Sequence, residues 1–102
     1  MLEPLLGNLT MERVLLFLAH HQAGYPREIA GAFGIHVNAV QQQLRRLEEG
    51  GIVVSRLYGR VRLYELNPRY PFSRELRALL ESAIRSMPRE ERERYFREKR
   101  GF

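Results

Sequence analysis

Cysteine is absent from the 102 residues of this chain. With it go any disulfide framework, Cys-ligated zinc, thiol nucleophile, and redox or thiolate metal-sensing role. Aspartate is absent too: all 12 acidic residues are Glu, and Lys99 is the lone lysine among 17 basic residues. A vocabulary of Glu and Arg suits helices and bidentate anion recognition. Long apolar runs are missing as well. The longest, residues 14–19, falls far short of the ~20 residues that cross a bilayer, and Met1-Leu2-Glu3-Pro4 lacks the basic start of a secretory signal. No membrane partner and a cytoplasmic location are therefore expected. There is no Gly-rich phosphate loop, Ser nucleophile elbow, metal triad or scaffolded carboxylate pair, so no enzyme activity, cofactor or metal is expected either. His20, His21 and His36 have no Cys or Asp companions and read as capping, packing or surface residues.

What remains is one small, basic domain, 44% apolar, with a net charge of +5. Its core is thin for its surface, and a second copy would help to cover it. The first clear helix spans residues 10–22, with Thr10 as N-cap and Ala23-Gly24 as the stop. Met11, Val14, Leu15, Leu16, Phe17 and Leu18 lie nearly all round it, which calls for burial on two sides. Leu2, Leu5, Leu6 and Leu9 upstream read as a packing arm.

A short helix is expected over residues 26–33, opened by Pro26 and closed by a left-handed Gly34, with Ile29, Ala30 and Phe33 inward. Ile35 enters the core and His36 stands where an N-cap belongs. A longer helix over 37–49 then turns Val40, Leu44 and Leu47 inward and stops at Gly50-Gly51. Residues 52–58 and 61–66, separated by Gly59-Arg60, read as a β-hairpin in which Val61 and Leu63 alternate with Arg62 and Tyr64. Pro68 and Pro71 make 67–72 a connector. Ser73 then caps a helix over 73–87 striped by Leu76, Leu79, Leu80, Ala83, Ile84 and Met87. Beyond Pro88 the chain is charged apart from Tyr95 and Phe96. The pairs Glu90–Arg94 and Glu93–Arg97 leave marginal helix and frayed tail both open.

Helix, short helix, tight turn, longer helix and hairpin is the order of a winged helix-turn-helix, with small Ala30 at the helix crossing and Gly34 in the turn. The run 26–64, including Arg45-Arg46-Leu47-Glu48-Glu49-Gly50-Gly51-Ile52-Val53, resembles winged-helix regulators broadly related to the ArsR and MarR families. Leu63-Tyr64-Glu65-Leu66-Asn67-Pro68, Pro71-Phe72 and Glu75-Leu76-Arg77-Ala78-Leu79-Leu80 are similar to a subgroup found beside, or fused to, small nucleotidyltransferase domains. The resemblance covers roughly residues 7–84. Two departures stand out: His36 replaces the usual Ser at the N-cap of the recognition helix, and the Cys-containing metal motif of ArsR sensors is missing.

The expected fold is therefore mainly α with a small β-hairpin (α+β): a winged helix-turn-helix with an additional C-terminal dimerisation helix. Residues 1–87 form the DNA-binding domain and 88–102 a charged tail or helix. The resemblance implies a transcriptional regulator that binds double-stranded DNA as a homodimer, assembled by the first helix and helix 73–87, with half-sites ~34–36 Å apart. With Val40, Leu44 and Leu47 inward, Val37, Asn38, Gln41, Gln42 and Arg45 face the major groove, where Asn and Gln suit adenine, Arg suits guanine and Val a thymine methyl. His36 stands at the start of that helix. Arg56, Arg60 and Arg62 on the wing, and Arg27 at the second helix, are candidates for phosphate or minor-groove contact. The rival is a winged-helix module that docks on a protein such as a nucleotidyltransferase without binding DNA itself. RNA binding is disfavoured by the lack of aromatic stacking platforms on the recognition helix.

Overall fold

A computed structural model describes residues 1–96. It contains α1 (Glu3–Leu6), α2 (Leu9–His21), α3 (Pro26–Phe33), α4 (Val37–Glu49), β1 (Val53–Tyr58), β2 (Val61–Leu66), α5 (Ser73–Ser86) and α6 (Arg89–Tyr95). The fold class is the α+β arrangement expected, and α3 and α4 fall where their end signals put them. Pro26 opens α3, where a missing N–H costs nothing. Gly34 closes it in the left-handed region (φ 64°), its N–H reaching the carbonyl of Ala30, and Ile35 N–H donates to the same carbonyl at 3.0 Å. A side chain at Gly34 would meet ~1–2 kcal/mol of backbone strain.

α2 is the centre of the molecule. Val14, Leu15, Leu16, Phe17, Leu18 and Ala19 are all buried, as its all-round apolar pattern requires. The same chain does the covering, through α1, α3, α4, α5 and β2. Its N-cap is Asn8 rather than Thr10: the Asn8 Oδ1 accepts from the Met11 N–H at 2.6 Å, satisfying a donor that the first turn leaves open. Of the upstream leucines, Leu5 and Leu6 lie in the single turn α1, with Leu2 buried at its N-cap and Leu5 exposed, while Leu9 opens α2. Buried Glu12 fastens this turn, accepting from the Leu2 N–H and pairing with the terminal amine at 3.4 Å.

The hairpin pairs in antiparallel register from Val53↔Leu66 to Tyr58↔Val61. Its buried face is that of Val53, Tyr64 and Leu66; Val61 is exposed and Leu63 half-buried. Reciprocal backbone hydrogen bonds of 2.9 Å between Gly24 and Tyr64 tie β2 to the segment joining α2 and α3. Asn67 anchors the other end, its N–H donating to the Ile52 carbonyl and its Nδ2 to the Gly51 carbonyl, both at 2.8 Å.

Ser73 is the first residue of α5 and makes no capping bond; Phe72 holds the N-cap position. Leu80 and Ala83 on α5, and Met87 at its C-cap, are buried in the chain's own core, where α5 packs on α2, while Leu79 stays exposed. Beyond Pro88 the chain turns helical again. α6 returns Tyr95 to stack on Phe33 (ring centroids 4.9 Å apart) and buries Phe96 against Phe33 and His20. The ion pair that forms along α6 is Arg89–Glu93, at 2.9 Å, rather than Glu90–Arg94. Arg97, the partner expected for Glu93, lies outside the described residues.

Candidate nucleic-acid interface

α4 has two sharply different sides. Val40, Leu44 and Leu47 are buried, and Gln43 joins them at 8% exposure. Asn38, Gln41, Gln42 and Arg45 are exposed. They stand at i, i+3, i+4 and i+7, so they form one polar stripe down the outer surface of the helix. Gln43 is a residue that its type alone would have placed outside. Its Oε1 accepts from the Asn8 Nδ2 at 3.3 Å, so the N-cap of α2 also grips the middle of α4. The cap explains the burial, because a buried amide without a partner costs more than it gains.

The wing is fixed to the C-terminal end of α4 by a relay. Ser55 Oγ donates to Glu48 Oε2 at 2.6 Å, and Arg62 Nη1 donates to Ser55 Oγ at 3.0 Å. This relay holds the Arg62 guanidinium on the face of the hairpin that looks toward α4. Between α3, α4 and β2 lies a cleft of about 400 Å³ lined by Tyr25, Pro26, Arg27, Gln41, Arg45, Arg60, Val61, Arg62 and Tyr64. Four arginines converge here, and among the described residues no carboxylate lines the cleft. Arg27, Arg45 and Arg60 form no ion pair with any of the described residues. Tyr64 has its phenol pKa raised above the ordinary value, first by burial and next by the Glu48 carboxylate, while Arg62 and Arg45 pull it back. It therefore stays an uncharged hydroxyl through neutral pH.

A second depression of about 430 Å³ sits at the turn and is lined by Arg27, Ala30, Gly34, Ile35, His36 and Val37. Arg27 borders both hollows. His36 occupies the N-cap position of α4 without a side-chain capping bond; its backbone carbonyl takes the first helical bonds, from Ala39 and Val40. Of the residues singled out in the sequence, Arg27, Gln41, Arg45, Arg60 and Arg62 thus share the cleft. His36 and Val37 share the turn with Arg27, and Asn38 and Gln42 extend the stripe on α4.

Arg56 stands apart. It lies on the opposite face of the hairpin from Arg62 and pairs with Glu65 at 3.3 Å. Tyr25 is a cleft residue that sequence reasoning missed; its backbone N–H donates to Glu28 Oε1 at 3.3 Å, which holds the entry to α3. Its only signal was its place directly before Pro26. Chemically, a cleft of four guanidiniums beside a stripe of amides offers bidentate donors for phosphate and, alongside them, paired donors and acceptors for base edges. No helix among the described residues is long and apolar enough to cross a membrane.

No protein-family model matches the chain, and no curated protein sequence matches it. Solved structures do. An apo form of a mutant of ZitR from Lactococcus lactis is 26% identical over 82% of this chain and 71% of that one, with a TM-score of 0.58. ZitR is described as a zinc-responsive MarR family member. Another ZitR mutant, in complex with DNA, is 24% identical over 84% of this chain and 66% of its own, with a TM-score of 0.54. The adhesin competence repressor AdcR from Streptococcus pyogenes is 18% identical over 90% and 78%, with a TM-score of 0.59. Among the described residues no group of three or more His or Glu side chains is placed to hold a metal ion. Helix-turn-helix, hairpin and anchored wing together make the fold of this chain a winged helix.

Proposed function

We propose that the chain is a sequence-specific, double-stranded DNA-binding transcriptional regulator that acts as a homodimer. One observation carries this reading: the exposed stripe Asn38–Gln41–Gln42–Arg45 on α4 runs into a cleft where Arg27, Arg45, Arg60 and Arg62 meet with no ion-pair partner among the described residues. α4 enters the major groove with Asn38, Gln41 and Gln42 at base edges, and Arg27, Arg60 and Arg62 take phosphates on either side. His36 and Val37 approach the same groove from the turn. Arg56 is a weaker contributor, because Glu65 already neutralises it. Support comes also from the likeness to ZitR, one form of which is a DNA complex.

The homodimer is supported by apolar surface that the protomer does not cover. Leu5, Phe72 and Leu79 are exposed along a groove of about 420 Å³ whose floor includes Leu15, Leu47 and Ile52. Since α2 is enclosed by its own chain, the pairing surface is built from α1, the connector and α5. The test is selection of preferred sites from random duplexes, with sedimentation of the free protein alongside. A palindromic motif with half-sites about one helical turn apart is expected, bound by a dimer. A folded protein that enriches no duplex overturns the reading.

A further inference from the structure

The hairpin has two faces, and the core and the cleft occupy only one of them. Successive residues of a strand point to opposite sides, so the register places Val54, Arg56, Tyr58, Val61, Leu63 and Glu65 together on the face turned away from buried Val53, Tyr64 and Leu66. A hairpin that buries one face ordinarily carries polar residues on the other. Here the outer face is mostly apolar. Tyr58 and Val61 are 50% and 49% exposed, and Val54 and Leu63 are half-buried without packing against the core cluster of the described residues. Val61, next to the turn, also borders the cleft. The charges on this face, Arg56 and Glu65, pair with each other at 3.3 Å, so the face is neutral as a whole.

We propose that this outer face is a contact between copies of the chain: the hairpins of proteins bound at neighbouring DNA sites stack face to face and make their binding cooperative. The proposal rests on the DNA-binding reading above. Charge selects the occupant. A neutral face does not draw a polyanion, whereas a second copy brings the same plus and minus in matching positions. Turned over about an axis along the strands, one hairpin sets its β1 on the other's β2 at the ~10 Å spacing of stacked sheets. Tyr58 then meets Val61 of the second copy and Arg56 meets its Leu63, with the Glu65 of each copy two residues along the strand from that Arg56. The charges therefore alternate across the contact, within an apolar surround. Area sets its strength. Two six-residue strands cover roughly 20 Å by 10 Å, or about 200 Å² on each copy, against the ~800 Å² per partner of a standard stable interface. So small a contact does little between free molecules. On DNA, which engages the opposite face of the hairpin, neighbouring copies are held at a roughly millimolar effective concentration, and the contact becomes cooperativity.

The experiment uses the full chain and duplexes carrying one or two copies of a site recovered by the selection, the spacing between the two being varied by single base pairs over two helical turns. The readout is the ratio of second-site to one-site affinity, so a variant's own intrinsic affinity cancels. Wild type is expected to fill the second site about tenfold more tightly at favoured spacings that recur every ~10.5 bp. V54T/L63T keeps side chains suited to strands; it should bind one site as wild type does and lower the ratio to about one. E65R, which makes both faces positive, should also abolish the cooperativity, and R56E/E65R, which restores a plus and a minus to each face, should bring it back. A wild-type ratio of about one at every spacing overturns the pairing and leaves the face to a partner of another kind. A ratio that survives V54T/L63T and E65R overturns it too, since the cooperativity then comes from another surface or from the DNA. Should V54T/L63T not fold, the charge variants decide alone, and equal loss in E65R and R56E/E65R overturns the proposal. Absence of one-site binding by wild type is instead a failure of the DNA reading, and this proposal falls with it.

Discussion

Two stretches of this chain carry the same excess charge and use it in opposite ways. Residues 37–64 hold five Arg against two Glu, and residues 65–102 hold ten basic residues against seven Glu, so each contributes +3. In the first stretch Arg45, Arg60 and Arg62 converge, with Arg27, on a cleft that no carboxylate lines. In the second the described arginines from Arg74 to Arg94 are spread along α5 and α6, and several have partners of their own. Arg77 Nη1 donates to Gln22 Oε1, Arg85 Nη2 to Ser82 Oγ, and Arg89 pairs with Glu93; Glu81 lies in the shallow groove between Arg74 and Arg85. Net charge sets solubility and long-range attraction, but convergence without counter-charge builds a local site. The equal totals hide that difference.

The largest predicted effect sets one stretch against the other. Replacing Arg45, Arg60 and Arg62 together by Ala should weaken duplex binding about a hundredfold or more and flatten the dependence of log K on log salt by roughly 3. The same treatment of Arg74, Arg77 and Arg85 removes the same formal charge. It should change affinity by less than about threefold near physiological salt, where charges beyond ~8 Å are screened. Anisotropy titrations at several salt concentrations measure both, and equal losses from the two triples would break the comparison.

The second region reaches back to the helix-turn-helix at Phe33, on α3, the helix that precedes α4. Tyr95 stacks on its ring, Phe96 meets it edge-on at 5.8 Å, and the Arg13 guanidinium lies 5.6 Å from its centroid. Phe33→Ala is expected to cost about 3 kcal/mol of stability by chemical denaturation. Tyr95→Ala costs less, and the two together should show a coupling of about 1 kcal/mol, the worth of the ring pair itself. Additive losses would mean that α6 adds no support to the helix-turn-helix.

The legible parts of the sequence were those in which one residue type fixes one conformation. Pro26, Gly34 and Gly50 bracket α3 and α4, and the i, i+4, i+7 spacing of Val40, Leu44 and Leu47 sets which side of α4 is exposed. Choices between equivalent residues were not legible locally. Asn8 and Thr10 are both good caps, and what selects Asn8 is its second bond, to Gln43, 35 residues away. Likewise the α5 stripe has the same pattern whether it meets α2 of its own chain or another copy; the burial of Leu80, Ala83 and Met87 is a tertiary fact. Arg56 is a different case. A two-residue turn fixes the hairpin register, which sets Arg56 opposite Leu63 and diagonal to Glu65, so its pairing was written in the sequence but required counting across strands.

Within the first region, base reading and charge should separate. Gln42→Ala is expected to lower discrimination at one base pair by about 1–3 kcal/mol while leaving the salt dependence unchanged. Gln43→Ala acts otherwise, since its side chain is buried against Asn8: it should reduce stability and affinity for all duplexes together. Comparing each variant over a panel of single-base substitutions distinguishes a reading residue from a positioning one. If Gln42→Ala weakened every site equally, the outer stripe of α4 would be a phosphate contact rather than a reader.

The smallest effect reports on the cleft directly. Tyr64 has a phenol pKa held above its ordinary value by burial and by Glu48, against the pull of Arg62 and Arg45. Because the folded pKa exceeds the unfolded one, the associated stability is complete below the unfolded value near 10 and is lost as pH rises through the folded one. Tyr64→Phe should therefore remove part of the alkaline decline in stability and leave stability at neutral pH little changed. Arg62→Ala takes away a cation that lowers the pKa, so the phenol should ionise at still higher pH in a spectrophotometric titration. Bound phosphates act in the same direction, by neutralising Arg45 and Arg62. A duplex that occupies the cleft must then raise the Tyr64 pKa, whereas one held only by α5 and α6 must leave it where it stands.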